Sequence, residues 1–331
     1  MLKLHFINVG DGDATLVEKL GEGRAFRMLV DAGREDVGEA PGSLRGTAAA
    51  YLAGLGITRL DALVVTHLHE DHFGGIAALS EEISVGTAYS GFFPCLPVAS
   101  MLRTGAEEKT VRGLMDCLER WTACTEMLAA RGCRLYQAEE TALLALTPEL
   151  EAELICDDPA AAARQRQVWR DMLAGRTADP DMVWWSSKFR NPGSLRLELR
   201  YAGRRIQLAG DCYGAVWEKH AVPCDIFKVP HHGDAKAVTP ELARRLHPAH
   251  AVISCSSEYI ARKDRPSLGT AAALEARGSR LWFTDSFRMP GRAAERWTSV
   301  KFVIEEDGTI LPPEHEGRSP QSRRGSAGRS I

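Results

Sequence analysis

The stretch Thr66-His67-Leu68-His69-Glu70-Asp71-His72-Phe73-Gly74-Gly75 constrains this chain more than any other. It sets three imidazoles and two carboxylates within six positions, directly after the apolar run Ala62-Leu63-Val64-Val65. Such a run reads as a buried strand, and Phe73-Gly74-Gly75-Ile76-Ala77-Ala78-Leu79 reads as the entry to a helix. The polar cluster therefore belongs on a loop at the carboxyl end of a strand, where open α/β sheets carry their chemistry.

Spacing sharpens the point. In an extended or tightly turned segment, positions 67 and 69 project the same way, so one cation can take both imidazoles. Asp71 and His72 then turn towards a second position beside it. Imidazole plus carboxylate is the ligand set of zinc, manganese or iron, not of calcium or magnesium. A polar loop that merely happens to be rich in histidine does not usually follow a buried strand at this density.

Further segments follow in a particular order: Phe6 to Ala14, Leu29-Val30-Asp31-Ala32-Gly33, Ser194 to Leu199, Gly210-Asp211, and Lys228-Val229-Pro230-His231-His232-Gly233. Together with His67-x-His69-x-Asp71-His72, this order resembles the metallo-β-lactamase superfamily. The last set is most similar to the hydrolase domain of the ComEC/Rec2 competence proteins. The resemblance implies an α/β fold, a four-layer αββα sandwich in which two sheets face each other with helices outside.

It also implies a ligand set for two divalent ions, zinc or manganese. His67 and His69 would hold the first, and Asp71 and His72 the second. Asp211 would bridge them, since a carboxylate's two oxygens suit cations about 3.5–4 Å apart. One of His231 and His232 would complete the second ion; we expect His231 there, as the first residue off its strand. His232 is then left to protonate a leaving group, with Asp71 orienting a metal-bound hydroxide.

Two departures from the pattern carry information. No histidine lies between His72 and His220, where the superfamily usually supplies a third ligand to the first ion. Asn191-Pro192-Gly193-Ser194 stands in that place, and Asn191 and Ser194 offer only side-chain oxygens, to an ion or to substrate. The first site should therefore be loose. Near the C-terminus, Arg265-Pro266-Ser267 stands where competence-type proteins often carry His-Pro-Ser. Arg265, with Arg262 and Lys263, reads as a local basic group that pairs with phosphate or else as a solvated loop. His5, His220, His247 and His250 are read as structural. Asp11 and Asp13 are read mainly as turn residues and Asp31 as a strand terminator.

The formal charge of −3 creates no global field for nucleic acid, so any phosphate affinity must be local. The eight cysteines form no C-x-x-C pair, which fits a reducing compartment better than a disulfide scaffold. No leader peptide and no bilayer-length apolar run is evident. The expectation is a cytoplasmic protein without membrane attachment, unlike the competence channels.

Along the chain, strands are expected at 2–8, 13–19, 26–31 and 62–65, with helices at 43–55 and 73–80. The hydrolase domain should span 1–311, with a largely helical insertion at about 92–190 over the site entrance. Helical spacing marks 102–131 and 160–174, and 133–146 offers one or two strands. Trp184, Trp185, Lys188, Phe189 and Arg190 close that stretch, as a base-stacking and phosphate patch or as ordinary packing. The second half resumes with a hairpin at 194–209, strands near 225–229, 251–254, 280–283 and 299–304, and helices at 239–246 and 267–277. Residues 312–331 have little to bury and should be disordered.

The machinery serves a phosphodiester, ester, lactam or thioester alike. The competence-type resemblance and local cations favour a phosphodiesterase or nuclease acting on nucleic acid or a nucleotide. A small ester, lactone or phosphocholine-type substrate is the enzymatic alternative, and a metal-binding protein without turnover is the non-enzymatic one.

Overall fold

The computed structural model describes all residues except 22, 39, 97, 99–107, 177–178, 257–264, 287–296 and 316–331. Two sheets lie face to face. The first has eight strands, ordered β15-β14-β1-β2-β3-β4-β5-β6, and the second has seven, ordered β13-β12-β11-β10-β9-β8-β7. In the first sheet these are β1 (Leu2–Ile7), β2 (Thr15–Lys19), β3 (Phe26–Val30), β4 (Arg59–Val65), β5 (Ser84–Ser90), β6 (Arg134–Gln137), β14 (Ser299–Ile304) and β15 (Ile310–His315). In the second they are β7 (Ala142–Thr147), β8 (Leu150–Ile155), β9 (Arg196–Tyr201), β10 (Arg204–Ala209), β11 (Ile226–Lys228), β12 (His250–Ile253) and β13 (Arg280–Phe283).

The strand sequences explain the layering. On β4, Ala62 and Val64 pack into the core between the sheets, whereas Leu63 and Val65 pack outward beneath helices. Burial on both faces is why this strand is a continuous apolar run instead of an alternating one. The outward face of the first sheet carries α1 (Ala48–Gly54), α3 (Ile76–Glu82), α4 (Lys109–Ala130) and α5 (Pro159–Leu173). That of the second carries α7 (Gly214–Trp217), α8 (Pro240–Leu246) and α9 (Leu268–Glu275). The four-layer αββα arrangement is therefore present.

Several details differ from expectation. Helix α1 starts at Ala48, capped by Thr47, whose hydroxyl accepts from the Ala50 amide; Ser43 instead accepts from Asn8 and Arg45. Residues 92–190 carry α4, α5 and α6 (Pro180–Lys188) and also provide β6 to the first sheet and β7 and β8 to the second. The alternation of Leu150, Ala152 and Leu154 inward is a strand period that the helical spacing on either side obscured. At the C-terminus β15 pairs with β14 through His315, so 312–315 are ordered; the rest of the expected disordered tail lies outside the described residues. Arg262 and Lys263 lie outside them too.

The parallel strands position the site. β3 to β6 run parallel in the first sheet and β10 to β13 in the second. Asp31, Thr66, Asp211 and the His231-His232 turn follow the carboxyl ends of β3, β4, β10 and β11. Close approach of these ends depends on small residues. A Cβ on Gly210 would meet the Thr66 side chain at 2.6 Å. Among the described residues, no helix is long and apolar enough to cross a membrane.

Candidate metal centre

The loop after β4 is fastened from several sides. Helix α2 (Glu70–Phe73) begins immediately after His69. The Asp13 amide donates to the Asp71 carbonyl at 2.9 Å, the Ala32 amide to the His72 carbonyl at 2.6 Å, and the Leu195 amide to the Thr66 carbonyl at 2.9 Å. Buried Arg190, just past α6, donates through Nη1 to the Leu68 carbonyl at 3.2 Å. The ligand-bearing backbone is thus held before any side chain is considered.

Three overlapping groups of ligand atoms result: His67, His69 and Asp211; Asp71, His72 and His232; and Asp13, His72 and Asp211. Within each, the atoms lie within 4.8 Å of one another. His67 Nε2 is 2.7 Å from His69 Nδ1 and 3.5 Å from Asp211 Oδ2. His72 Nε2 is 3.2 Å from Asp211 Oδ1, and His232 Nε2 is 3.2 Å from Asp71 Oδ2. Asp211, 1% exposed, therefore reaches both the His67–His69 side and the His72 side.

The His231-His232 assignment expected from chain order is reversed. Both residues have positive φ, 49° and 53°, which is costly for non-glycine residues, and Gly233 follows at 75°. This turn sends the two rings apart. His232 joins Asp71 and His72, with Nδ1 3.1 Å from the Ser254 carbonyl. His231 stands with Asn191, whose Nδ2 is 3.0 Å from its Nε2, and with the Tyr213 ring. Its Nε2 lies 3.8 Å from Asp211 Oδ2, on the side of the first group.

The other expected contacts are placed as follows. Ser194 is 2% exposed, and its hydroxyl accepts from the Asp211 amide at 3.2 Å, which positions the Asp211 loop. Arg265 is ion-paired to Asp234 at 3.3 Å, and its charge acts on His231. Of the aromatic and cationic patch, Trp185 stacks on Phe189 at 4.9 Å, Lys188 lies over the exposed Trp184, and Arg190 is turned inward. Cys212 is fully buried and burial pushes its thiol up, so it offers no thiolate.

Sequence reasoning missed a supporting layer. Asp31 accepts from the Thr66 amide at 2.9 Å, from the Thr66 hydroxyl at 2.8 Å, and lies 2.7 Å from His72 Nδ1. It fixes the His72 ring so that Nε2 faces Asp211, as carboxylates behind ligating histidines do. Asp13 is no mere turn residue: it is ion-paired with buried Lys228, and its Oδ1 is 3.6 Å from His232 Nδ1. The available signal was an acidic residue at the buried end of a strand, Asp31 directly after β3 and Asp13 two residues before β2.

Electrostatics divides the histidines. Burial pushes His67 and His69 below the ordinary imidazole value, and neighbouring cationic forms add to this. Burial also opposes charge on His72 and His232, yet Asp211 and Asp31 hold His72 well above its ordinary value, and Asp71 and Asp13 raise His232 to about 9. Burial likewise opposes ionisation of Asp71 and Asp211, but His232 and His72 keep Asp71, and His72 and His67 keep Asp211, well below the usual carboxylate range.

The donor set fits a pair of borderline divalent ions. His72 Nε2 and Asp211 Oδ1 are buried and aimed at one another, yet among the described residues neither makes a hydrogen bond of acceptable geometry. Buried polar atoms are otherwise nearly always satisfied, and a shared cation would satisfy both.

Within this fold and site, residues 7–103 match the family model described as Metallo-beta-lactamase superfamily. Among individual proteins, the chain is similar to the anti-Pycsar protein Apyc1 of Paenibacillus sp. (strain J14). They are 30% identical over 130 residues, which is 39% of this chain and 46% of that protein. The chain thus spans under half the length of the curated relative it matches. Among solved structures it is similar to Zn(2+)-bound PqqB from Methylobacterium extorquens, with 11% identity, 86% of this chain and 98% of that one covered, and a TM-score of 0.43. It is also similar to the metallo-beta-lactamase fold protein YhfI from Bacillus subtilis, with 10% identity, 86% and 96% covered, and a TM-score of 0.43.

Proposed function

We propose that this chain is a metal-dependent hydrolase that cleaves phosphodiester bonds in nucleic acid or a nucleotide in the cytoplasm. The observation that carries the hydrolase reading is the shared carboxylate: two ligand groups meet on Asp211, each completed by side chains from a different sheet. His67, His69 and Asp211 would hold one ion, with Asn191 and His231 the nearest further donors. Asp71, His72, His232 and Asp211 would hold the other. Zinc and manganese suit these donors equally, and the first group, lacking a third close imidazole, should bind more weakly.

Such ions supply Lewis acidity, making a nucleophile from water near neutral pH and stabilising charge on the scissile group. The chain's own residues do the rest. Asp71, anchored by His232, orients the attacking water. His231, freed from the second group, stands beside Asn191 to contact the substrate or protonate the leaving oxygen. Arg34, half-exposed with Nη2 3.8 Å from Asp71 Oδ2, and Arg265 place guanidinium forks at the site for phosphate oxygens. These cations, with the competence-type sequence likeness, support a phosphodiester over a neutral ester or lactone.

The test is turnover by chelator-stripped protein reloaded with Mn²⁺ or Zn²⁺. Labelled single-stranded DNA, RNA and bis-p-nitrophenyl phosphate are offered beside a p-nitrophenyl ester and a lactone. Cleavage of phosphodiesters, lost in Asp211→Ala, is expected. Turnover of the ester or lactone alone would overturn the phosphodiester reading, and no turnover with any substrate would overturn the hydrolase reading.

A further inference from the structure

A space of about 30 Å³ lies against the far edge of the same loop, between Leu68, the end of β5 and the Phe92 that follows it, helix α5, and Arg190 just past α6. Its polar lining joins two guanidinium groups and an indole N–H to the side chains of Thr66, His67, Ser90 and Gln165. Arg166 and Arg190 border it at 6% and 9% exposure, and neither has a carboxylate within 4 Å among the described residues. Among the described residues, Arg166 makes one hydrogen bond, a long one of 3.4 Å to the Glu139 carbonyl. Among them Arg190 bonds to the Ser187 and Leu68 carbonyls and the Cys117 sulfur. Asp71, whose charge Arg190 feels, is already committed to His232. Trp169 Nε1, on the same wall and 4% exposed, has no hydrogen-bond partner among the described residues.

Buried guanidinium groups normally come with counter-charge, because desolvation is otherwise uncompensated. The Thr66 and Ser90 hydroxyls and the Gln165 carboxamide also line the wall, so a water could donate there, but a neutral water would leave both guanidinium charges uncompensated. The volume suits one atom-sized ligand, close to water's share of liquid at roughly 30 Å³.

We infer that this cavity binds a single monoatomic anion, chloride under cellular conditions, held by Arg166, Arg190 and Trp169 Nε1. Because Arg190 also grips the Leu68 carbonyl between His67 and His69, the anion braces the metal loop from behind. The inference does not rest on the proposed activity.

The experiment compares Tm of the chelator-stripped full chain in sodium chloride and sodium gluconate at matched ionic strength. Bromide-soaked crystals are examined for anomalous density in parallel. Chloride should raise Tm, the gain growing by equal steps per tenfold of salt above its Kd. Trp169→Phe should shrink the chloride–gluconate gap and Arg166→Gln should abolish it, whatever either does to Tm in gluconate. Bromide should appear beside Trp169 Nε1. Equal Tm in the two salts, or density there that does not respond to bromide and so is ordered water only, would overturn the inference.

Discussion

Asp31→Asn isolates the part of the centre that no ligand inventory reveals. The native carboxylate receives two hydrogen bonds from Thr66 and lies 2.7 Å from His72 Nδ1, so Nδ1 carries the proton and Nε2 is left to bind an ion. In the variant the amide oxygen can keep the Thr66 amide. Its NH₂ then meets the Thr66 hydroxyl and His72 Nδ1, and donor faces donor unless His72 changes tautomer. That change puts the proton on Nε2, where the ion should be. Loss of such a supporting contact typically costs 10–100-fold in metal affinity, or about 1.4–2.8 kcal/mol. Competition against a chromophoric chelator would measure this, with Asp31→Glu as a control that restores charge without the geometry. Activity at saturating metal should recover more than activity at limiting metal. If Asp31→Asn binds metal as tightly as the parent while its Tm in chelator falls, Asp31 is only a fold residue and the tautomer argument is wrong.

Other consequences can be measured separately. Without an ion, His72 and His232 (raised to about 9) hold protons at neutral pH that binding must displace. Metal affinity should therefore fall as pH drops below 9, by up to tenfold per unit for each proton, with proton release seen by calorimetry in buffers of different ionisation enthalpy. Arg196, buried against Asp157 through two contacts of 2.6 and 2.7 Å and lying over Trp217, should cost about 3–5 kcal/mol when changed to Ala. Arg196→Met with Asp157→Leu should recover most of that loss in urea unfolding. Burial pushes Glu18 up, but His5 and Arg27 outweigh it and hold the carboxyl at about 2 against an ordinary 4.5. Its stabilisation, on the order of 2 kcal/mol after solvent screening, is present above pH 4.5 and lost as pH falls towards 2. Glu18→Gln should flatten the acid limb of the stability curve between those values.

How legible was this in the sequence? The clustering of His67, His69, Asp71 and His72 was, because they lie in one short loop whose direction follows from the strand before it. The two-sheet order was largely legible too, since β3, β4, β11 and β12 announce themselves as buried runs ending in chemistry. What failed were judgements that depend on a third dimension. His231 and His232 are adjacent in the chain, and only the left-handed turn at both decides which ring reaches Asp71. Asp13 and Asp31 look like turn residues because the same short acidic side chain that closes a turn also fits behind an imidazole. Residues 142–155 were hidden because strands at a sheet's end carry weak alternation between strongly periodic helices.

These failures share a cause that bears on how the centre works. Several of these residues act through contacts between the two halves: Lys228 at the end of β11 reaches Asp13 before β2, and His232 reaches Asp71, while Gly210 lies against Thr66. Ligand spacing is therefore set by the packing of one sheet on the other, not by either loop alone. A substitution at the seam should loosen metal binding without touching a ligand. Gly210→Ala is the sharpest case, since its methyl would meet Thr66 at 2.6 Å and force the β4 and β10 ends apart. Its first effect should fall on Asp211, the one ligand common to both groups. Metal affinity should drop at both positions together, whereas damage confined to one loop would weaken one position and spare the other.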